Sequence, residues 1–187
     1  MLYIMRHGLT EWNASHRLQG GSDVPLNDAG RQMAIDAGKR YKDVKFDICY
    51  ASPLCRAKET AELVLKGRDV PIFLDERLRE MSFGKYEGRQ NIFEHPDWPI
   101  YSLFKAPQDY IADDDCETFQ DLYKRTGEFV DEVLVPELEK GKNVLIVGHG
   151  AMNLSIINRA LGIPMERYWE KHMENCEVLS IEYPFKV

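Results

Sequence analysis

Met1-Leu2-Tyr3-Ile4-Met5-Arg6-His7-Gly8-Leu9-Thr10-Glu11-Trp12-Asn13-Ala14 is the stretch whose reading decides the fold. Leu2 to Met5 is a short run of apolar and β-prone side chains bounded by polar residues, which reads as a buried strand. It runs straight into Arg6-His7-Gly8, so a guanidinium, an imidazole and a glycine arrive together at the strand's carboxyl end. In open α/β sheets that end is where ligands bind. Taken alone, an Arg-His pair more often marks a surface charge beside a satisfied core histidine. The rest of the chain supplies it with partners.

Working outward, Gln19-Gly20-Gly21-Ser22-Asp23 with Pro25 is a turn-rich loop. Asn27 or Asp28 caps a helix that runs to about Lys42, with Met33, Ala34, Ala37, Gly38 and Tyr41 on one face. Phe46 to Ala51 is a second β-prone run ending at Ser52-Pro53. Pro53 suits the first turn of the next helix, whose apolar side chains are Leu54, Ala57, Ala61, Leu63, Val64 and Leu65. Gly67 closes that helix, and Val70 to Leu74 makes a third, shorter strand. Farther on, Glu117 or Thr118 opens a long amphipathic helix through Phe119, Leu122, Phe129, Val130, Val133 and Leu134, which Pro136 kinks or ends. Val144 to Val147 is the clearest buried strand; His149-Gly150 sits at its end, and a helix follows from about Ala151 to Ala160. Cys176 to Tyr183 alternates as a final strand.

Strands alternating with helices predict an α/β fold, a three-layer α/β/α sandwich on a mostly parallel sheet, in one domain over residues 1–187. Between Lys85 and about Glu117 the period breaks. Phe93, Trp98, Tyr101, Phe104, Tyr110 and the acidic run Asp113-Asp114-Asp115 read as a small insertion over the sheet's carboxyl end. Its aromatics read as local packing. The acidic run reads as a solvated loop, or as a filter against substrates with a second anionic group.

Composition narrows the function. An apolar share of 44% and a charged share of 29% over 187 residues are those of an ordinary globular domain with a real core. With 24 Lys and Arg against 31 Asp and Glu, the net charge of −7 disfavours nucleic acid or an anionic membrane as partner. A small anionic substrate stays open, provided Arg and His concentrate in one pocket. Cys49, Cys55, Cys116 and Cys176 show neither a C-x-x-C pair nor zinc-like spacing, and read as scattered thiols in a reducing compartment. The apolar start is interrupted by Arg6 and no run reaches transmembrane length, so a cytoplasmic location is expected. Nothing in the sequence speaks to oligomeric state.

Arg6-His7-Gly8 with Thr10 and Asn13 resembles the signature of the histidine phosphatase superfamily, the phosphoglycerate-mutase-like fold. Three further blocks follow in the family's order and span nearly the whole chain. They are Ser52-Pro53-Leu54-Cys55-Arg56-Ala57 with Thr60-Ala61, Leu78-Arg79-Glu80 with Gly84 and Glu87-Gly88, and Val147-Gly148-His149-Gly150. The resemblance implies that His7 is a nucleophile forming a phosphohistidine, which divides one hard displacement into two easier ones. Gly8 then leaves room beside the ring, and a backbone carbonyl fixes its tautomer. Arg6 and Arg56 become the phosphate clamp, a task suited to arginine's planar, always-charged fork. His149 becomes a third donor to the phosphoryl oxygens. Glu80 becomes the general acid that protonates the leaving oxygen and later activates water. Asn13, Gln19, Gly20, Gly150 and Ala151 match positions lining the phosphate pocket; Asn13 reads equally as a helix cap. His16, His95 and His172 match no block and read as surface or structural residues.

No metal-ligand set and no Walker-type phosphate loop is apparent, so neither a metal nor a cofactor is expected. Two departures from the family's pattern matter. Asn153 stands near where family members often carry Arg. After the acid, cofactor-dependent mutases carry Arg-His-Tyr-Gly, and this chain has Met81-Ser82-Phe83-Gly84. Within the insertion only Lys85, Arg89 and Lys105 are basic, with His95. A mutase must hold a bisphosphate, so the resemblance implies instead a metal-independent hydrolase of a small phosphorylated metabolite. The branch it resembles contains broad-specificity and α-ribazole phosphatases. A phosphoglycerate mutase is the alternative, and a phosphate-binding protein without catalysis a remote one.

Overall fold

The structure, a computed structural model, describes residues 1–185. Among the described residues five strands form one sheet: β1 (Leu2–Arg6), β2 (Ile48–Ala51), β3 (Ile72–Leu74), β4 (Val144–Gly148) and β5 (Val178–Ile181), in the order β3-β2-β4-β1-β5. The first four run parallel, and β5 lies antiparallel to β1 at the edge. Around the sheet are α1 (Glu11–Ala14), α2 (Asp28–Arg40), α3 (Cys55–Val64), α4 (Pro99–Lys105), α5 (Phe119–Phe129), α6 (Val135–Glu139) and α7 (Gly150–Leu161).

Because successive strand side chains point to opposite faces, each apolar run feeds two cores. Leu2, Ile4, Ile48, Val144 and Ile146 pack with Leu122, Phe129, Leu134, Leu154 and Ile157 of the long helices. Met5, Cys49, Ala51, Leu145 and Val147 pack with Ala34 and Ala37 of α2 and with Ala57, Ala61 and Val64 of α3. A sheet covered on both faces explains why its strands read as continuous rather than alternating apolar runs.

Local signals place most boundaries. Asn27, not Asp28, caps α2, its side chain accepting the Gly30 N–H at 2.8 Å. Thr118 caps α5 by accepting the Asp121 N–H at 3.0 Å. Three expectations need correction. α2 stops at Arg40, and Met33 stays 36% exposed rather than joining the buried face. Pro53 lies ahead of α3, which starts at Cys55 with Leu54 as its cap, so the proline shapes the turn and not the helix. Pro136 does not end the long helix. A π turn at Val130–Leu134 precedes it and the chain stays helical to Glu139. A proline has no N–H to give and its ring crowds the preceding turn, and widening that turn accommodates both effects.

The segment from Lys85 to Glu117 is short 3₁₀ turns around α4. Its acidic run is bonded into the structure: Asp113 accepts from Lys85 Nζ at 2.9 Å and from the Tyr86 hydroxyl at 2.5 Å. Asp115 accepts the Lys85 N–H at 2.7 Å. All four cysteines are free thiols, Cys49 and Cys176 buried. No helix among the described residues is long and apolar enough to cross a membrane.

Candidate active site

The register of three adjacent parallel strands builds the site. β1 and β4 pair with Arg6 opposite Gly148, so the residues that follow, His7 and His149, leave the sheet side by side. The His7 N–H donates to the Gly148 carbonyl at 2.9 Å, and the two imidazole centroids lie 5.1 Å apart. β2 ends with Ala51 opposite Val147, and the turn after it brings Arg56, in the first turn of α3, to the same end. Glu80 enters after β3 and the 3₁₀ turn Glu76–Leu78.

His7 is buried, and its Nδ1 lies 2.7 Å from the Gly8 carbonyl. A carbonyl only accepts, so Nδ1 carries the proton and a neutral ring keeps its lone pair on Nε2. Burial, then the charges of Arg56 and Arg6, push the His7 pKa well below its ordinary value, against the bond to Gly8. The ring is therefore neutral at neutral pH. Gly8 is also constrained by packing: a Cβ there would lie 2.6 Å from the Gly30 carbonyl oxygen of α2. Packing of the loop on α2 demands it.

Arg56 is fully buried, and its two terminal nitrogens are fixed by backbone: Nη1 donates to the Ser22 carbonyl at 2.6 Å and Nη2 to Gly20 at 2.8 Å. Gly20 takes φ +57°, and a Cβ there would fall 2.2 Å from Glu87 Oε1. Arg6 Nη1 donates to the Met173 carbonyl at 2.9 Å. Burial draws both guanidinium groups down from their ordinary range and Glu80 is the leading opposing charge; both stay cationic. His149 has no exposed surface, and neither ring nitrogen has a partner among the described residues. Burial, then the charges of Arg56, His7 and Arg6, lower its pKa strongly.

Glu80 docks on the N-terminus of α7. Its Oε1 accepts the N–H groups of Met81 and Met152, both at 2.9 Å, and Oε2 accepts that of Ala151 at 3.1 Å. A helix N-terminus offers unpaired N–H groups and a positive dipole end, so a carboxylate is well placed there. The Ala151 N–H, expected for phosphate, is thus held by Glu80 in this structure. Asn13 proves to be part of a cap: Thr10 accepts its N–H at 3.1 Å, and Asn13 Oδ1 accepts the Thr10 N–H at 3.2 Å. Gln19 Oε1 accepts the Thr10 hydroxyl at 2.9 Å.

These side chains open on a cavity of about 430 Å³, within the range of small-molecule sites. Nine of the eleven expected residues line it. His149 and Gly8 do not; His149 packs against His7, and Gly8 against α2. The sequence left several participants without a role. Glu87 accepts the N–H groups of Gly21 and Ser22, each at 2.8 Å, and of Phe83 at 3.0 Å, together with the Ser22 hydroxyl. It thereby holds the loop whose carbonyls grip Arg56; the Glu87-Gly88 block was its only signal. Asn175 Nδ2 donates to the His7 carbonyl at 2.7 Å. His172, read as surface or structural, is exposed yet lines the cavity, as do Phe93 and Phe104, read as local packing.

A mostly parallel sheet that gathers arginines, histidines and a carboxylate around one cavity at its carboxyl end defines an α/β enzyme. The family model for the histidine phosphatase superfamily (branch 1) matches residues 2–185, and the chain belongs to that family, an enzyme of the phosphatase kind. It is 33% identical over 184 residues, 97% of this chain and 84% of the relative, to a Salmonella arizonae protein named probable phosphoglycerate mutase GpmB. Among solved structures it is similar to Bacillus stearothermophilus YhfR, with a TM-score of 0.86 at 35% identity over 98% of this chain and 92% of that one. It is also similar to the α-ribazole phosphatase of Shigella flexneri, with a TM-score of 0.80 at 28% identity over 98% and 92%.

Proposed function

We propose that this protein hydrolyses a phosphomonoester of a small metabolite through a phosphohistidine on His7, without a metal ion. The observation that carries this is the His7 ring: its Nδ1 is bonded to Gly8, and its other nitrogen is left free beside the buried Arg56, the half-buried Arg6 and a buried, unpartnered imidazole. In this reading Nε2 attacks phosphorus in line, the P–O ester bond breaks, and Glu80, carrying a proton brought in with the phosphomonoester, gives it to the departing alkoxide. Water then attacks phosphorus, Glu80 takes a proton from it, the P–N bond breaks and phosphate leaves. Arg6 and Arg56 hold the equatorial oxygens. Their bonds to Met173, Ser22 and Gly20 orient the forks before substrate arrives, which reduces reorganisation at the moment of reaction. A dianion beside His149 raises its affinity for a proton, so it donates as well.

The mutase named among the relatives is the second reading, and the cavity wall favours hydrolysis over it. Where the mutase pattern has Arg-His-Tyr-Gly, Met81 and Phe83 are buried apolar residues, and Phe83 lines the cavity. The further basic residues lining it, Arg17, Lys105 and His172, are all exposed. Free thiols fit a reducing compartment, the cytoplasm.

The test is purified protein against a panel of phosphorylated metabolites, with 3-phosphoglycerate isomerisation measured alongside under bisphosphate priming. Hydrolysis that survives EDTA, an acid-labile phosphate on the protein and no turnover in His7→Ala are expected. Turnover in His7→Ala, or loss in EDTA restored by a divalent metal, refutes the mechanism.

A further inference from the structure

Beyond the phosphoryl cluster the cavity has an outer wall assembled from segments far apart in sequence. Phe104 of α4 is its centre: the ring centroids of Trp169, Phe93 and Phe83 lie 4.9, 5.6 and 6.2 Å away. The Trp169 indole N–H donates to the Leu103 carbonyl at 2.7 Å, which fixes its plane. Phe93 leaves 54% of its surface in water. A large exposed ring on a cavity wall is informative in a way that a scattered surface leucine is not. Aromatic walls of this kind favour flat apolar partners, by stacking or edge contact.

Charge lining the cavity runs against the rest of the molecule. The chain carries a net −7, yet Arg17 and Lys105 line this cavity. Arg17 donates to the Gly88 carbonyl and Lys105 Nζ stands 4.8 Å from the Phe93 ring; neither is ion-paired to a carboxylate among the described residues. Glu80 is the cavity's one lining carboxylate among them, and it is bonded to α7. Asp113, the acid nearest in expectation, is engaged by Lys85 and Tyr86. Two exposed cations, one already sharing a carbonyl, suit a single negative charge and not a second buried phosphate.

We infer that the alcohol half of the substrate is a flat apolar ring system bearing a carboxylate at its far end, seated on the Phe104 wall with the carboxylate at Lys105, beside Phe93. This rests on the reading of the His7–Arg56 cluster as the phosphoryl site. The experiment uses phosphonates, whose C–P bond is not hydrolysed: propylphosphonate, 3-phenylpropylphosphonate and 3-(4-carboxyphenyl)propylphosphonate, titrated calorimetrically at low salt. p-Nitrophenyl phosphate hydrolysis tests the phosphoryl site by itself. The phenyl group is expected to tighten binding about tenfold or more, from ring burial. The carboxylate should add about threefold, and salt should erase that gain. Phe104→Leu, which keeps an apolar side chain in the core, should shrink the phenyl gain, and Lys105→Gln should remove the carboxylate gain. Equal affinity for propyl and phenylpropyl, or weaker binding of the carboxylated compound, with hydrolysis intact, overturns this inference alone. No binding by any of the three, together with no hydrolysis, overturns the phosphoryl reading and this one with it.

Discussion

Replacing Glu80 by glutamine separates its chemistry from its place in the fold, because the structure gives it both. The carboxylate accepts three backbone N–H groups, two on Oε1 and one on Oε2. With its oxygen kept on Met81 and Met152, the glutamine amide nitrogen faces the Ala151 N–H, donor against donor. One bond is lost, at about 1 kcal/mol, and so is the negative charge at the start of a 12-residue helix, at about 0.5–1 kcal/mol. Glu80→Gln should therefore cost about 1.5–2 kcal/mol of stability, readable as a shifted urea midpoint with an unchanged slope. The kinetic effect is different in kind. A general acid helps in proportion to how badly the leaving group needs a proton, and an alkoxide needs one where a nitrophenolate does not. Alkyl phosphate turnover should fall on the order of 10²-fold, while the burst of nitrophenolate release falls far less and phosphoenzyme accumulates. A burst and an alkyl rate reduced by the same factor would refute the acid role and leave Glu80 as a helix cap.

Three further perturbations test the site from other sides. His7 and His149 have folded-state pKa values below their ordinary 6.5, so each binds a proton more readily when unfolded. Stability from these two groups is full well above pH 6.5 and falls as pH drops below it, with a combined slope that steepens toward about 3 kcal/mol per pH unit. His149→Gln should halve that slope in urea titrations between about pH 5 and 6, and an unchanged slope shows that His149 is not buried neutral. Arg56→Lys should lose about 10²-fold or more in kcat/KM, since a lysine cannot hold both the Ser22 and Gly20 carbonyls while reaching phosphate; near-native kcat/KM in that variant contradicts the fork. Glu87→Ala unpairs the Gly21, Ser22 and Phe83 N–H groups and should cost about 2–4 kcal/mol of stability, with a loss of kcat/KM that is not additive with Arg56→Ala. Strict additivity would detach Glu87 from the clamp.

Most of the cluster was legible in the sequence because Arg6, His7 and His149 sit at or one step beyond a strand end and Arg56 at the start of a helix, where local patterns are strongest; Glu80, in a loop, was marked only by the family's motif. A run such as Val144–Val147 locates His149 to the residue, and parallel register does the rest. Three kinds of feature were not legible. The widened turn before Pro136 depends on the packing of a long helix that is worth keeping continuous. The aromatic wall depends on contacts such as Trp169 with Leu103, 66 residues apart, which leave no period in the sequence. The roles of single glycines depended on which backbone approached them: Gly8 is constrained by Gly30, Gly20 by Glu87. That last contact ties the legible part to the illegible one. The carboxylate that holds the Gly21–Ser22 loop, and through it Arg56, also accepts the N–H of Phe83, whose ring stands in the wall opposite Phe104. Arg56 and the aromatic wall are therefore both positioned by one side chain. A change that moves the wall through Phe83 moves Arg56 too, so specificity redesign in this protein is better aimed at Phe93, Phe104 or Lys105, which bear on the wall without touching Glu87.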